Sequence, residues 1–169
     1  GADPYRWLEQ RDSAEVLEHL KAENAYLEAQ LAEQTGLRET LFQEIKGRIR
    51  ETDLSLPVPW GSWLYYQRTT AGDEYARHYR CRRPADDSNQ VDDSSEELLL
   101  DPNVLANGGF FSLGAFSISP DQRLLAYSLD RSGDEIYQLF VKDLDNGALT
   151  TLPFSDADGS LTWANDSQT

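Results

Sequence analysis

Cysteine, histidine and positive charge are all scarce in this chain of 169 residues. A single cysteine, Cys81, excludes an internal disulfide and fits a reducing compartment, with the cytoplasm as the default. Fifteen Lys and Arg residues face thirty Asp and Glu, a net charge of −15, and such a field repels phosphate backbones, so nucleic acid is a poor partner. The same field would attract cationic peptides, although acidic chains are also simply soluble. No apolar run approaches the roughly 18 to 20 residues that cross a bilayer, so no membrane partner is expected. The first residues combine no basic leader, apolar stretch and small-residue cleavage site, so no secretion signal is expected, and Gly1-Ala2 read as a cloning scar.

Scarce histidine also limits the chemistry. Nucleophilic hydrolysis needs a serine or cysteine beside a base that a third group orients. Only His19 and His78 are available, the first in a charged helical stretch, where it reads as solvent-facing, and the second in mid-strand, where it reads as a packed or half-exposed strand residue. No Gly-x-Ser-x-Gly elbow occurs, and Ser117, Ser119 and Ser128 read as strand and turn positions. One cysteine and two distant histidines offer no zinc spacing, while Asp86, Asp87, Asp92 and Asp93 lack the glycine and closing glutamate of a calcium loop. Asn107-Gly108-Gly109 lacks the lysine and hydroxyl of a phosphate-binding loop. No residue is therefore assigned as catalytic, cofactor-binding or metal-ligating. Arg77, Arg80, Arg82 and Arg83 form a basic ladder beside Tyr75 and Tyr79, which could hold a carboxylate or pair with the acidic loop just downstream.

What the chain does have, with 39% hydrophobic and 11% aromatic residues, is enough to fold as one domain or a piece of one. From Asp12 to about Arg50 the apolar period is helical. Leu17, Leu20, Leu27 and Leu31 share a face that Asn24 interrupts, and Leu37, Leu41, Ile45 and Ile49 recur every fourth residue in a second helix. Asp12 with Glu15 resembles a capping box, Thr35-Gly36 reads as the break between helices, and the second helix ends before Asp53, Pro57 and Pro59. The two stripes need a surface, either each other or another domain.

Beyond Pro59 the period becomes strand-like, in runs Trp63–Thr69, Tyr75–Arg83, Glu97–Leu100, Leu113–Ser119, Arg123–Leu129, Glu135–Asp143 and Leu149–Leu152. Asp145-Asn146-Gly147 signals a hairpin. Sliding the chain on itself aligns Phe116–Asp121 with Leu161–Asp166 at an offset of 45 residues, the spacing of four-stranded propeller blades. Gly72–Tyr75 aligns with Gly133–Ile136, and Tyr66 with Tyr127, at an offset of 61. The polar insertion Pro84–Ser95 accounts for most of the 16-residue difference and reads as a mobile surface loop. The expected fold is mainly β with an N-terminal helical arm and an incomplete β-propeller of about two blades plus the start of a third. A helical arm over residues 1–56 and blades over 57–169 are the expected domains. Two blades cannot close a ring of roughly four to eight, so Ser167-Gln168-Thr169 reads as a truncation point and self-association through open edges is possible.

At this point the residues resemble a known family. Asp3-Pro4-Tyr5-Arg6-Trp7-Leu8-Glu9, followed by Leu20-Lys21-Ala22-Glu23-Asn24-Ala25-Tyr26, is similar to the opening segment of the prolyl oligopeptidase family, and within it of oligopeptidase B. Leu41–Ile49 resembles the second helix of that segment, Tyr65-Tyr66-Gln67-Arg68 the first-blade strand, and Leu100-Asp101-Pro102-Asn103 the run into the second blade. Ser119-Pro120-Asp121 occurs in many propellers and discriminates nothing. The resemblance implies a parent serine peptidase that cleaves short peptides after Arg or Lys. Its triad would lie in an α/β-hydrolase domain beyond Thr169, this chain's partner, with the propeller excluding folded proteins. The alternative is a non-enzymatic propeller used as a binding module, which has no reason to carry the Asp3–Glu9 and Leu20–Tyr26 segments.

Overall fold

The computed structural model describes residues 3–86, 88–154 and 156–167; readings that touched Gly1, Ala2, Asp87, Gln168 and Thr169 lie outside the described residues. The chain divides into two compact units, Gly1–Arg50 and Glu51–Thr169.

In the first unit a 3₁₀ turn, Arg6–Glu9, precedes helix α1 (Ala14–Leu31) and helix α2 (Thr35–Lys46). The start of α1 corrects the expected capping box. Ser13, in extended conformation, is the N-cap in place of Asp12 and its Oγ accepts the Val16 N–H at 3.2 Å, so Glu15 is the second helical residue, one position too early for a capping box on Ser13. The break between helices also moves. A 3₁₀ turn over Ala32–Gln34 separates them, Thr35 opens α2 with its hydroxyl donating to the Ala32 carbonyl, and Gly36 is an ordinary helical residue. Ala32 and Thr35 both stay right-handed, so the helix tightens rather than stops. Leu17, Leu20, Leu27, Leu37, Leu41, Phe42, Ile45 and Ile49 are all exposed, and among the described residues of this unit Val16 is the buried hydrophobic one.

The second unit contains two antiparallel sheets. The first has strands β1 (Asp53–Leu54), β2 (Val58–Trp60), β3 (Trp63–Thr69), β4 (Arg77–Arg82) and β5 (Glu97–Leu100). β1 and β2 lie end to end along one edge of β3, so five segments fill four strand positions, and the division between the units falls before β1. The second sheet runs in simple order through β6 (Ser112–Ile118), β7 (Leu124–Asp130), β8 (Gln138–Asp143) and β9 (Leu149–Thr151). At the β8–β9 hairpin Gly147 takes φ +75° and its N–H donates to the Asp143 carbonyl, the backbone for which glycine is suited. A short helix, α3 (Pro102–Ala106), links the sheets.

The repeat is visible in side chains as well as in strand order. Tyr66 pairs with Tyr79 across β3–β4 and the rings stack at 5.9 Å; 61 residues on, Tyr127 pairs with Phe140 across β7–β8 and stacks at 5.1 Å. Leu64 and Leu125, at the same offset, are both fully buried. The insertion contributes less than expected. Arg80 faces Glu97 where Val141 faces Thr150, so the offset has already dropped from 61 to 53 at the outer strands, and it reaches 45 only after the α3 connection. Pro84–Ser95 and the α3 segment each add about half of the extra length. The insertion is anchored at its far end, where a 3₁₀ turn covers Asp93–Ser95, Ser95 Oγ accepts the Arg82 N–H and Val91 packs on the Leu64–Cys81 cluster.

The principal core joins the sheets: Leu99 and Leu100 of β5 and Phe111 meet Leu125, Tyr127 and Phe140 of the second sheet. Residues 161–164 lie outside any strand, but the Trp163 indole N–H donates to the Ser117 carbonyl of β6 at 3.0 Å, which places this segment beside the second sheet.

Candidate functional site

Of the sequence-selected serines, Ser117 is a residue of β6, and the hydroxyls of Ser119 and Ser128 have structural tasks. Ser119 Oγ donates to Asp121 Oδ1 at 2.6 Å and accepts the Leu124 N–H, closing the β6–β7 turn. Ser128 Oγ donates to the Gly159 carbonyl at 2.7 Å and accepts the Ala115 N–H, filling the irregularity in the β6–β7 ladder between Leu113 and Phe116. His19 stands edge-on to Trp7 at 5.3 Å in the helical unit. His78 stacks on Phe116 at 4.4 Å, and burial lowers its pKa, favouring the neutral ring. Nucleophile and base are thus not brought together among the described residues, and no group of three His, Cys, Asp or Glu there could hold a metal ion. Cys81 is fully buried. Asn107-Gly108-Gly109 forms the left-handed end of α3, with the Gly109 N–H on the Ala106 carbonyl.

Arg77, Arg80 and Arg82 of the ladder find partners other than the acidic loop's carboxylates. Arg77 reaches Asp73 and, at 2.8 Å, Asp101; Arg80 Nε reaches Glu97 at 2.8 Å; and the Arg82 guanidinium lies 3.9 Å over the Trp63 ring. These partners come from adjoining strands and turns. The insertion's Asp93 instead pairs with Arg68, which also holds Glu96 at 2.6 Å. Arg83 contributes its N–H to the Ser62 carbonyl.

Sequence reasoning missed the clamp at Asn103. Its side-chain oxygen accepts the N–H groups of Glu74 and Tyr75, and its amide donates to the Tyr75 carbonyl at 2.9 Å, tying the β3–β4 connection to α3. Asp101 caps α3 through the Asn103 N–H. Burial raises the Asp101 pKa, but the bonds from Arg77 and Asn103 outweigh it and hold the carboxyl below its ordinary range. The readable signal was Asp101-Pro102, an N-cap followed by proline in the first helical turn.

An open hollow of about 440 Å³ lies where Leu56, Tyr65, Tyr79, His78, Gln67 and Phe116 converge. Its walls suit an apolar side chain with a hydrogen-bonding group. Ser55 also lines it, with its Oγ accepting the Gln67 N–H, and among the described residues the His78 ring makes no hydrogen bond to a nucleophile or to an orienting partner of the kind that acyl transfer requires.

Two consecutive four-position sheets, repeating in register and packed through one shared core, define successive blades of an unclosed β-propeller. The family model for the prolyl oligopeptidase N-terminal β-propeller domain matches residues 1–169, and the chain belongs to that family. It is 35% identical to a dipeptidyl aminopeptidase BI of Pseudoxanthomonas mexicana, over 99% of this chain and 25% of the relative. It is 31% identical to protease 2 of Moraxella lacunata, over 95% of this chain and 24% of the relative. In structure it is similar to oligopeptidase B from Leishmania major, with a TM-score of 0.84 and 30% identity, covering 95% of this chain and 23% of that one. The chain spans about a quarter of the length of the curated relatives it matches.

Proposed function

We propose that the whole protein is an oligopeptidase B-like serine peptidase of the cytoplasm, cleaving short peptides after Arg or Lys. In this reading residues 1–50 are a docking arm and residues 51–169 are the first blades of a propeller that admits peptides and turns away folded proteins. The reaction itself belongs to a C-terminal α/β-hydrolase domain. The observation that carries the reading is the match of all 169 residues to a propeller model, with structural similarity to an oligopeptidase B. The placement of Ser119, Ser128, His19 and His78 in turn, ladder and ring contacts agrees with a non-catalytic role. No helix among the described residues is long and apolar enough to cross a membrane.

A second reading is favoured by the dipeptidyl aminopeptidase among the relatives: removal of dipeptides from a free amino terminus. Two chromogenic substrates separate the readings in the whole protein. An amino-blocked peptide ending in Arg is cleaved by an endopeptidase and spared by an aminopeptidase, and a free dipeptide amide favours the latter. The chain of 169 residues alone is expected to cleave neither. Serine-dependent cleavage by this chain would overturn the gating role, and a whole protein inert to both substrates would favour the binding-module reading.

A further inference from the structure

Three turns occupy the same place in the repeat. Gly61 follows β2, Gln122 follows β6, and Ser167 follows the segment that Trp163 attaches to β6; all three are left-handed, with φ of +58°, +65° and +61°. The Gln122 N–H donates to the Ser119 carbonyl at 2.8 Å, and the Ser167 N–H to the Ala164 carbonyl at 3.1 Å, so the turn that closes the β6 hairpin recurs 45 residues later. Left-handed backbone is disfavoured for any residue with a Cβ, and glutamine and serine are not its usual occupants.

The contacts of these side chains explain their positions. Gln122 Nε2 donates to the Trp60 carbonyl at 2.6 Å, and a Cβ on Gly61 would come within 2.8 Å of Gln122 Cδ, so the missing side chain of Gly61 is the space in which the amide sits. Ser167 Oγ accepts the Asp121 N–H at 3.1 Å. In both cases the side chain of the later turn reaches the backbone of the residue just before the left-handed position of the earlier one: Trp60 before Gly61, Asp121 before Gln122. Arg80, 4% exposed, reinforces the first contact: Nη1 donates to the Gln122 carbonyl at 2.9 Å, Nε holds Glu97, and the guanidinium lies 3.9 Å over the Trp63 ring.

We propose that the left-handed residue of each blade's first hairpin is a docking element that seats on the backbone of the corresponding turn in the blade before. The turns at this end of the propeller thereby form a line of side chain-to-backbone contacts that sets blade-to-blade register. Gly61 is a socket, Gln122 both a plug and the next socket, and Ser167 a plug.

Glycine substitutions in the full chain separate this role from backbone strain, because glycine accepts the left-handed conformation freely. If Gln122 is only a strained turn residue, Gln122→Gly makes the protein more stable. If Gln122 is a plug, the same substitution raises the unfolding equilibrium constant about five-fold, the weight of one typical hydrogen bond. Gly61→Ala, which expels the amide, then costs several-fold less in the Gln122→Gly background than in the parent, a non-additivity that a double-mutant cycle measures. For the second contact, Ser167→Gly is expected to speed hydrogen exchange of the Asp121 amide about five-fold while amides of Leu139–Val141 stay unchanged. A stabilised Gln122→Gly variant, additive costs at Gly61 and Gln122, or an unaltered Asp121 amide would each overturn the proposal.

Discussion

The helical unit and the blades both carry apolar residues at regular spacing, but they use them in opposite ways. In α1 and α2 the leucines and isoleucines of the stripe are 46 to 59% exposed at Leu17, Leu20, Leu27, Leu41 and Ile45. In the blades Leu64, Leu99, Leu125 and Tyr127 are at most 2% exposed. Periodicity alone therefore shows that a face is meant to be covered, while burial shows whether this chain covers it. The blades carry their own core, and the helices hold their shape through backbone bonds, the Ser13 cap and exposed pairs such as Arg48–Glu44.

The sharpest way to break this comparison is a pair of matched truncations. Leu125→Ala is expected to destabilise the blade unit by about 3 kcal/mol, because a fully buried leucine leaves both lost transfer energy and a cavity, read as a shift in the denaturant midpoint. Next in size, Asn103→Ala removes the clamp and leaves the Glu74 and Tyr75 amides without their acceptor, costing about 2 kcal/mol by the same measurement. Acid sensitivity follows. His78 faces Gln67 of β3, Leu100 of β5 and Phe116 of β6, and none of these neighbours is charged. Its folded pKa lies below 6.5, so the unfolded chain binds the proton more readily: stability is full above 6.5, falls as pH drops through that value, and levels off below the folded pKa. Thermal scans of His78→Phe should show a flatter midpoint between pH 7 and 5 than the parent, and equal slopes would remove His78 from the acid response. Smallest of all, Leu41→Ala should stay within about 0.5 kcal/mol, as an exposed position does. A cost near that of Leu125→Ala would show that the helical face belongs to a core after all.

The longer strands were legible because alternation and turn residues act locally. Trp63–Thr69 and Glu97–Leu100 fall where the sequence puts them. β1 and β2 were not, because fragments of two and three residues beside Pro57 and Pro59 read as a helix stop rather than as an interrupted edge. α3 is too short for a helical period to register, although Asp101-Pro102 marks its start. The ladder's partners were misjudged for a different reason. Arg80 meets Glu97 because the two stand opposite each other across β4–β5, a consequence of register that proximity in sequence does not convey. Gln122 reaching Trp60 across 62 residues is further still from anything that a local pattern encodes.

The unequal offsets between the blades carry an evolutionary consequence. The extra length of the first repeat sits entirely in two connections, Pro84–Ser95 and the α3 segment, while the ring pairs Tyr66–Tyr79 and Tyr127–Phe140 keep identical spacing. Lengthening a connection costs little, about 0.6 kcal/mol for each doubling, whereas a one-residue slip inside a strand would turn every buried side chain outward. Descent from a duplicated ancestor would thus leave its record in strand interiors and its differences at the connections, where α3 and its Asn103 clamp lie.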